Sequence, residues 1–258
     1  MPDVARKILL NPGPATTTQR VKDALVIEDV CPREAHFCAL YADVRARLAA
    51  LAGEPGEAVA IPIVGSGTTA LEASLVSFVS EDDMVLIVEN GDYGRRLAQI
   101  ARAQRIRHRV LELGFGRPID LGALEALMHE TRDEATHLYF VHHETSSGLV
   151  SPVEPITALA RRYGLHVLLD AMSSYGCLPI EVGAGGVDAL VSSSNKCVQG
   201  MAGLGIVVAR PALIEAAREK PRRCFALDLV AEHDHLESTG QSRFTVPPQV
   251  ISAVESAP

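Results

Sequence analysis

The chain has 258 residues, of which 47 % are hydrophobic and 22 % charged, a composition typical of a soluble protein that buries a large core. Its formal net charge of -8 disfavours binding to nucleic acid. No apolar run reaches the roughly 20 residues that a membrane span needs, so the sequence predicts neither a nucleic-acid nor a membrane partner.

The cysteines bear on the cellular location of the chain, and the basic residues bear on its surface. Five cysteines with no C-x-x-C pair argue against a disulfide framework and predict a reduced, cytoplasmic location. The apolar run within residues 1–10 is too short for a secretory signal. Two basic stretches, 95–109 and 218–223, alternate with apolar residues and are interpreted as solvated helix faces.

Short apolar runs alternate with helical patterns, which predicts an α/β fold with a mostly parallel seven-stranded sheet and flanking helices. The predicted strands are residues 58–64, 84–89, 109–113, 136–142, 167–170, 189–192 and 205–209. The predicted helices are residues 69–79, 93–105, 121–130, 156–163 and 212–219. After residue 210 the pattern weakens, and residues 249–258 show no helical pattern.

A turn of small residues, 65–68, links the first predicted strand to the first predicted helix. The first backbone N–H groups of a helix have no intrahelical partners and bind phosphate well. Ser66 and Thr68 add hydroxyl groups, and Gly67 lets the backbone approach an anion. The turn lacks the Lys-Ser/Thr pair of a P-loop and the third glycine of a dinucleotide fingerprint. It predicts either a phosphate site or an ordinary capped helix start.

Asp170 ends an apolar strand, at the edge where open α/β sheets bind their ligands. Its alternative role is to cap the following turn. Lys196 is the single lysine of a loop of small polar residues, 191–200, flanked by Asn195 and Cys197. Partial burial there would lower its pKa and free the amine for Schiff-base chemistry.

These three features together supply what pyridoxal phosphate (PLP) requires. The carboxylate keeps the pyridine nitrogen protonated, the lysine forms a Schiff base with the cofactor, and the helix terminus holds the phosphate. No metal site is predicted. His142 and His143 point to opposite faces of a strand, and no third ligand lies near His233 and His235.

Seven motifs, in order, resemble those of the class V PLP-dependent aminotransferases, which have the type I PLP-transferase fold. They are LLNPGP at 9–14, GSGT at 65–68, NGDYG at 90–94, HETSSG at 143–148, DAMSS at 170–174, SNKCVQG at 194–200 and RFT at 243–245. The forms at 170–174 and 194–200 resemble the 2-aminoethylphosphonate:pyruvate branch more than the alanine:glyoxylate branch.

The resemblance implies a role for each matching residue. Lys196 would carry the cofactor and Asp170 would pair with the pyridine nitrogen, which makes these two the catalytic residues. Tyr93 would stack on the ring, and Thr145 would lie near its phenolic oxygen. The other implied cofactor contacts are Ser66, Gly67, Thr68, Asn195 and Thr245, and the implied substrate contacts are Asn11, Pro12, Gly13 and Arg243.

The resemblance also implies a reaction and an assembly. The amino group of 2-aminoethylphosphonate would pass to pyruvate, giving phosphonoacetaldehyde and alanine, with Lys196 as base and then acid. The protein would be a homodimer in which Thr245 reaches the cofactor phosphate of the neighbouring subunit.

Relatives continue past the RFT motif into a smaller domain that carries a substrate-binding arginine. We therefore expect a PLP-binding large domain over residues 1–258 without the small C-terminal domain. Within it, residues 1–20 would form a substrate-side segment and residues 211–258 an incomplete C-terminal part.

Four alternatives stay open. A related class V enzyme could transfer the amino group of alanine or serine to glyoxylate, and a truncated chain could bind PLP with little or no turnover. A cysteine desulfurase needs a cysteine on a mobile loop beyond the cofactor lysine, which neither Cys197 nor Cys224 provides. A dehydrogenase would need the complete glycine fingerprint.

Overall fold

A seven-stranded sheet forms the centre of the protein, for which the computed structural model describes residues 7–258. The strands in chain order are β1 (Val59–Gly65), β2 (Met84–Glu89), β3 (Arg107–Glu112), β4 (Ala135–Val141), β5 (His143–Glu144), β6 (Leu149–Val150), β7 (His166–Asp170), β8 (Ala189–Ser193) and β9 (Gly203–Ala209). The large sheet has the order β1-β9-β8-β7-β4-β2-β3, and β5 pairs with β6 in a separate hairpin.

The sheet is parallel except for β9, which runs antiparallel to both of its neighbours, β1 and β8. All five residues of β8, and all but one residue of β2 and β7, are buried. Strands covered on both faces are typical of parallel sheets. The predicted α/β fold with a mostly parallel seven-stranded sheet is confirmed.

Nine helices surround the sheet in the described part of the chain. They are α1 (Gln19–Asp23), α2 (Ala35–Ala50), α3 (Gly67–Phe78), α4 (Asp92–Ala103), α5 (Leu121–Glu130), α6 (Val153–Arg162), α7 (Pro211–Arg218), α8 (Leu229–Thr239) and α9 (Pro248–Glu255). None of these helices is both long and apolar enough to span a membrane.

The C-terminal part holds more helix than the sequence predicts. The prediction that residues 249–258 are not helical is wrong, because α9 covers Pro248–Glu255. Proline is tolerated in the first turn of a helix, since the backbone N–H that it lacks has no partner within the helix there. Ile251 and Val254 are buried, and Ala253 packs with Val21 of α1. These partners lie far away along the chain, so the short segment gains its order from tertiary packing.

Gly205 of β9 sets how closely α3 approaches the sheet. A side chain at this position would meet Ala70 Cβ at 2.5 Å and the Ser66 carbonyl oxygen at 2.9 Å. The start of α3 therefore lies directly on β9, and this contact fixes the turn of residues 65–68 at the edge of the sheet.

Gly205→Ala is expected to destabilise the protein, because an added methyl group overlaps rigid backbone and core atoms. Such overpacking costs roughly 1–3 kcal/mol, which denaturant unfolding would show as a lower free energy of unfolding. Gly185→Ala is the matched control, since its nearest neighbour is the flexible end of Glu181 at 3.3 Å. Equal stability of the two variants would contradict the close packing of α3 on β9.

Candidate active site

A cavity of about 530 Å³ opens at the carboxyl ends of the parallel strands. Eight of the nine predicted cofactor contacts line it: Ser66, Gly67, Thr68, Tyr93, Thr145, Asp170, Asn195 and Lys196. They come from five separate segments of the chain, so the cavity is the place where the predicted residues meet.

The turn of residues 65–68 is a capped helix start that faces this cavity. The Ser66 hydroxyl accepts a hydrogen bond from the Thr69 backbone N–H at 3.2 Å, and Ser66 N donates to Thr69 Oγ1 at 3.1 Å. This reciprocal pair is a capping box. The cap and the phosphate site are compatible, because the partial positive charge of the helix terminus lies at the cavity.

Asp170, at the end of β7, is a buried carboxylate with two partners. Its side chain is 1 % exposed. Oδ1 accepts from the Met172 backbone N–H at 3.0 Å, and Oδ2 accepts from Arg96 Nη2 at 2.8 Å. Burial raises the pKa of the Asp170 carboxyl, while Arg96 and the Met172 N–H oppose that rise. Asp170 thus caps the following turn and also presents a carboxylate at the cavity.

Lys196 follows β8 in a tight loop and is half-buried. Burial lowers the pKa of its amine, and the nearby positive charge of Arg96 lowers it further. The sequence predicts the same direction of shift from the small residues around Lys196. A larger fraction of the amine is therefore neutral near physiological pH than for an exposed lysine.

The N-terminal segment covers this lysine. Ala15 N donates to the Asn195 carbonyl oxygen at 2.8 Å. Gly13 has a φ of +138° and lies so close to the Lys196 side chain that any Cβ there would overlap it. Asn11, Pro12 and Gly13 line a second cavity of about 410 Å³ that shares Lys196 with the first. The structure thus places these three predicted substrate contacts beside the predicted catalytic lysine.

Tyr93 and Thr145 are held together through Glu144. The Glu144 carboxylate is buried and accepts from the backbone N–H groups of Tyr93 at 3.2 Å and Gly94 at 3.1 Å, at the start of α4. It also accepts from Ser146 N at 3.2 Å. A carboxylate at a helix N-terminus is favourable for both charge and hydrogen bonding. Sequence reasoning missed this residue, although it lies within the HETSSG motif.

Side chains of Thr145 and Asn195 are oriented by neighbouring serines. Thr145 Oγ1 lies 2.7 Å from Ser173 Oγ, and Ser193 Oγ donates to Asn195 Oδ1 at 2.9 Å. Ser173 and Ser193 line the cavity as well and were not predicted.

Two predicted residues do not reach the cavity of their own chain. The Arg243 guanidinium lies over the rings of Phe225 and Phe244, 5.1 and 4.9 Å from their centroids, and donates to the Phe225 carbonyl oxygen. Neither Arg243 nor Thr245 lines the cavity. Their roles at cofactor and substrate stay predictions.

Arg96 is the main residue that sequence reasoning missed. The interpretation of residues 95–109 as a solvated face is wrong at this position, because Arg96 points into the cavity and pairs with Asp170. The available signal was its spacing, since Arg96 follows Tyr93 by three residues and so lies on the same face of α4.

The histidine clusters are not arranged around an ion. Among residues 7–258, no group of three or more His, Cys, Asp or Glu side chains is placed to hold a metal. His142 is buried with Nδ1 at 2.9 Å from Ser174 Oγ, while His143 lines the cavity.

Comparison with known proteins agrees with this arrangement. The class-V aminotransferase family model matches residues 13–242. The chain belongs to the class V aminotransferase family. Membership confirms the predicted resemblance and the predicted transamination, in which an amino group moves from an amine to a 2-oxo acid, and it makes PLP the cofactor.

Relatives of this class V chain are found among both sequences and structures. A 2-aminoethylphosphonate--pyruvate transaminase of Burkholderia thailandensis is 41 % identical over 251 residues, covering 97 % of this chain and 67 % of the relative. The protein of the same name from Burkholderia ambifaria is 39 % identical and covers 100 % of this chain and 67 % of its own length.

Among solved structures, an alanine--glyoxylate aminotransferase from Nostoc has a TM-score of 0.89 at 27 % identity, covering 98 % of this chain and 67 % of that one. The pyridoxamine-pyruvate aminotransferase of Mesorhizobium loti, at 22 % identity and a TM-score of 0.84, shares the fold over 99 % of this chain and 65 % of its own. This chain spans about two thirds of the length of these relatives.

Glu144→Ala is expected to destabilise the start of α4, because the Tyr93 and Gly94 N–H groups would lose their acceptor. Leaving buried donors unpaired costs roughly 1–3 kcal/mol. Denaturant unfolding would measure the loss, and amide hydrogen exchange would show faster exchange at Gly94. The exposed Glu154→Ala is the control. Unchanged stability and exchange would contradict the anchoring role.

Proposed function

We propose that the chain transfers the amino group of 2-aminoethylphosphonate to pyruvate, giving phosphonoacetaldehyde and alanine. The observation that carries the proposal is the presence of Lys196 and Asp170 in one cavity of a class V aminotransferase. The relatives near 40 % identity that bear this activity in their names support the choice of substrates.

The cavity residues fit the cofactor. A buried carboxylate suits the pyridine nitrogen, a half-buried amine of lowered pKa suits the aldehyde carbon, and a capped helix terminus with hydroxyl groups suits the phosphate. Asp170, Lys196 and the turn with Ser66, Gly67 and Thr68 would supply these groups. When bound, PLP supplies an electron sink for the substrate carbon that loses a proton.

The protein side chains then bind, orient and move protons. Lys196 Nζ takes the proton from the substrate carbon that bears the amino group, and later returns a proton. An amine of lowered pKa suits both steps. Tyr93 would stack on the cofactor ring, Thr145 would contact its phenolic oxygen, and Asn195 would contact its phosphate.

The substrate carries an anionic phosphonate, and the segment with Asn11, Pro12 and Gly13 lies beside Lys196 where that group could bind. Arg243 lies over Phe225 and Phe244 in its own chain, and its contact with the substrate belongs to the proposal. The proposal includes a homodimer, with Thr245 at the partner's cofactor phosphate, and the predicted cytoplasmic location.

A second candidate is transfer of an amino group from alanine or serine to glyoxylate. The fold similarity to the Nostoc alanine--glyoxylate aminotransferase favours it. The two candidates share the cofactor site and differ in the amine that each accepts.

Addition of PLP to the purified chain is expected to give an absorbance band of the lysine-bound cofactor. Lys196→Ala should lack this band, and Lys7→Ala, which changes an exposed lysine, should retain it. Addition of 2-aminoethylphosphonate should bleach the band because the amino group passes to the cofactor, and pyruvate should restore it.

The other possible results of this absorbance experiment distinguish the remaining candidates. A band that responds to serine or alanine and ignores 2-aminoethylphosphonate would support the glyoxylate reaction instead. A lysine-dependent band that no amine changes would indicate PLP binding without turnover. Absence of any band would contradict the assignment of the cofactor site.

A further inference from the structure

Arg96 contacts three groups of the proposed cofactor site at once. Nη2 donates to Asp170 Oδ2 at 2.8 Å, and Nη1 donates to Thr68 Oγ1 at 3.4 Å. The guanidinium carbon lies 4.6 Å from the centroid of the Tyr93 ring, within the range of a cation–π interaction. One cation thus links the groups proposed for the pyridine nitrogen, the ring and the phosphate.

The positive charge of Arg96 stabilises the buried carboxylate of Asp170, which has almost no contact with water. Burial of an ionised carboxylate is costly unless a cation and hydrogen-bond donors accompany it. The ionisable groups that interact with Asp170 come from four elements: Arg96 of α4, Lys196 of the loop after β8, Glu144 of β5 and Tyr139 of β4. Arg96 alone among them donates a hydrogen bond to Asp170 in the described residues.

Asp170 retains capacity for the cofactor while Arg96 is bound. Each carboxylate oxygen can accept two hydrogen bonds. Oδ1 accepts one from Met172 N, and Oδ2 accepts one from Arg96. A pyridine N–H can therefore be added without displacing the arginine.

The second contact constrains the aromatic ring. The guanidinium of Arg96 packs over one face of the Tyr93 ring. The opposite face of the ring is the one that would stack on the cofactor. The Arg96 side chain is 22 % exposed, and its buried Nε has no hydrogen-bond partner among residues 7–258. The arginine is therefore fixed by Asp170, Thr68 and Tyr93, and it fixes them in turn.

We propose that Arg96 is a positioning residue for PLP, which keeps the Asp170 carboxylate ionised and oriented for the pyridine nitrogen and holds the Tyr93 ring in place. This inference rests on the proposed function only in so far as the cavity binds PLP.

Arg96→Gln removes the charge, and because the glutamine side chain is two bonds shorter it also removes the hydrogen bond from Nη2 to Asp170. Its dissociation constant for PLP, measured by absorbance titration near neutral pH, is expected to rise roughly ten- to hundred-fold, the effect of losing a hydrogen bond to a charged group. Arg96→Lys restores the charge and should recover much of the affinity. Arg95→Gln is the matched control, because Arg95 is the next residue on α4 and pairs with Glu89 and Asp92 instead.

The pH dependence of PLP binding separates a charge effect from a loss of packing. Loss of Arg96 removes a cation that lowers the pKa of Asp170, so this pKa rises further. The carboxylate then becomes protonated at a higher pH as the pH falls, and Arg96→Gln should lose PLP at a higher pH than the wild type. Arg96→Lys should keep the wild-type profile, since it retains the positive charge.

A double-mutant cycle tests whether Arg96 acts through Asp170. Arg96→Gln should change the affinity for PLP less in an Asp170→Asn background than in the wild type, because the carboxylate it serves is already absent and only its contact with Tyr93 remains to be lost. Thermal unfolding of each cofactor-free variant checks its folding. Arg96→Met, with the same expected loss and pH shift, replaces Arg96→Gln if that variant does not fold.

Three results would overturn the inference: wild-type affinity and pH profile in Arg96→Gln, an equal loss in Arg95→Gln, or an undiminished effect of Arg96→Gln beside Asp170→Asn. Failure of the wild type to bind PLP would overturn the proposed function and the inference together. A wild type that binds PLP and ignores 2-aminoethylphosphonate would overturn only the proposed donor, and the variants would still decide the role of Arg96.

Discussion

The carboxylate of Asp170 is held at the end of β7, in the middle of the sheet, with almost no access to water. A charge in that position needs partners within hydrogen-bond distance, and the Arg96 guanidinium and the Met172 N–H provide them. Arg96 reaches the carboxylate from α4, so the ion pair joins the end of a strand to a helix at the cavity.

Sheet topology explains why residues distant along the chain meet at this carboxylate. Asp170 ends β7, and Ser66, Tyr93 and Lys196 follow β1, β2 and β8, strands that point toward the same edge. β9 runs in the opposite direction, so its beginning at Gly203 lies at that edge and closes the cavity. Placement by strand ends gives each group a rigid support, while the loops supply the chemical variety.

Much of the sheet and the site could be predicted from the sequence. Apolar runs bounded by polar turns locate the seven strands, and the motifs locate eight residues of the cavity. Arg96 could not be assigned by composition, because the direction in which α4 presents each arginine depends on how the helix packs. Arg243 shows the converse limit, since its motif predicts a substrate contact while the structure places its guanidinium over Phe225 and Phe244.

α2 and α9 show two different reasons for a missed helix. Phe37, Tyr41, Val44 and Leu48 are buried at helical spacing in α2, so the positions of these four residues in the sequence already indicate a helix. α9 has eight residues and two adjacent prolines at its start, and its order comes from α1 and α2, which local pattern cannot reveal.

The anchoring of α4 by Glu144 also bears on motion within the site. One carboxylate joins the first turn of the helix to the segment that carries Thr145. Tyr93, Arg96 and Thr145 therefore belong to a single mechanical unit. A displacement of the β5–β6 hairpin would therefore be transmitted to the first turn of α4, so that the tyrosine, the arginine and the threonine at the cavity would move together.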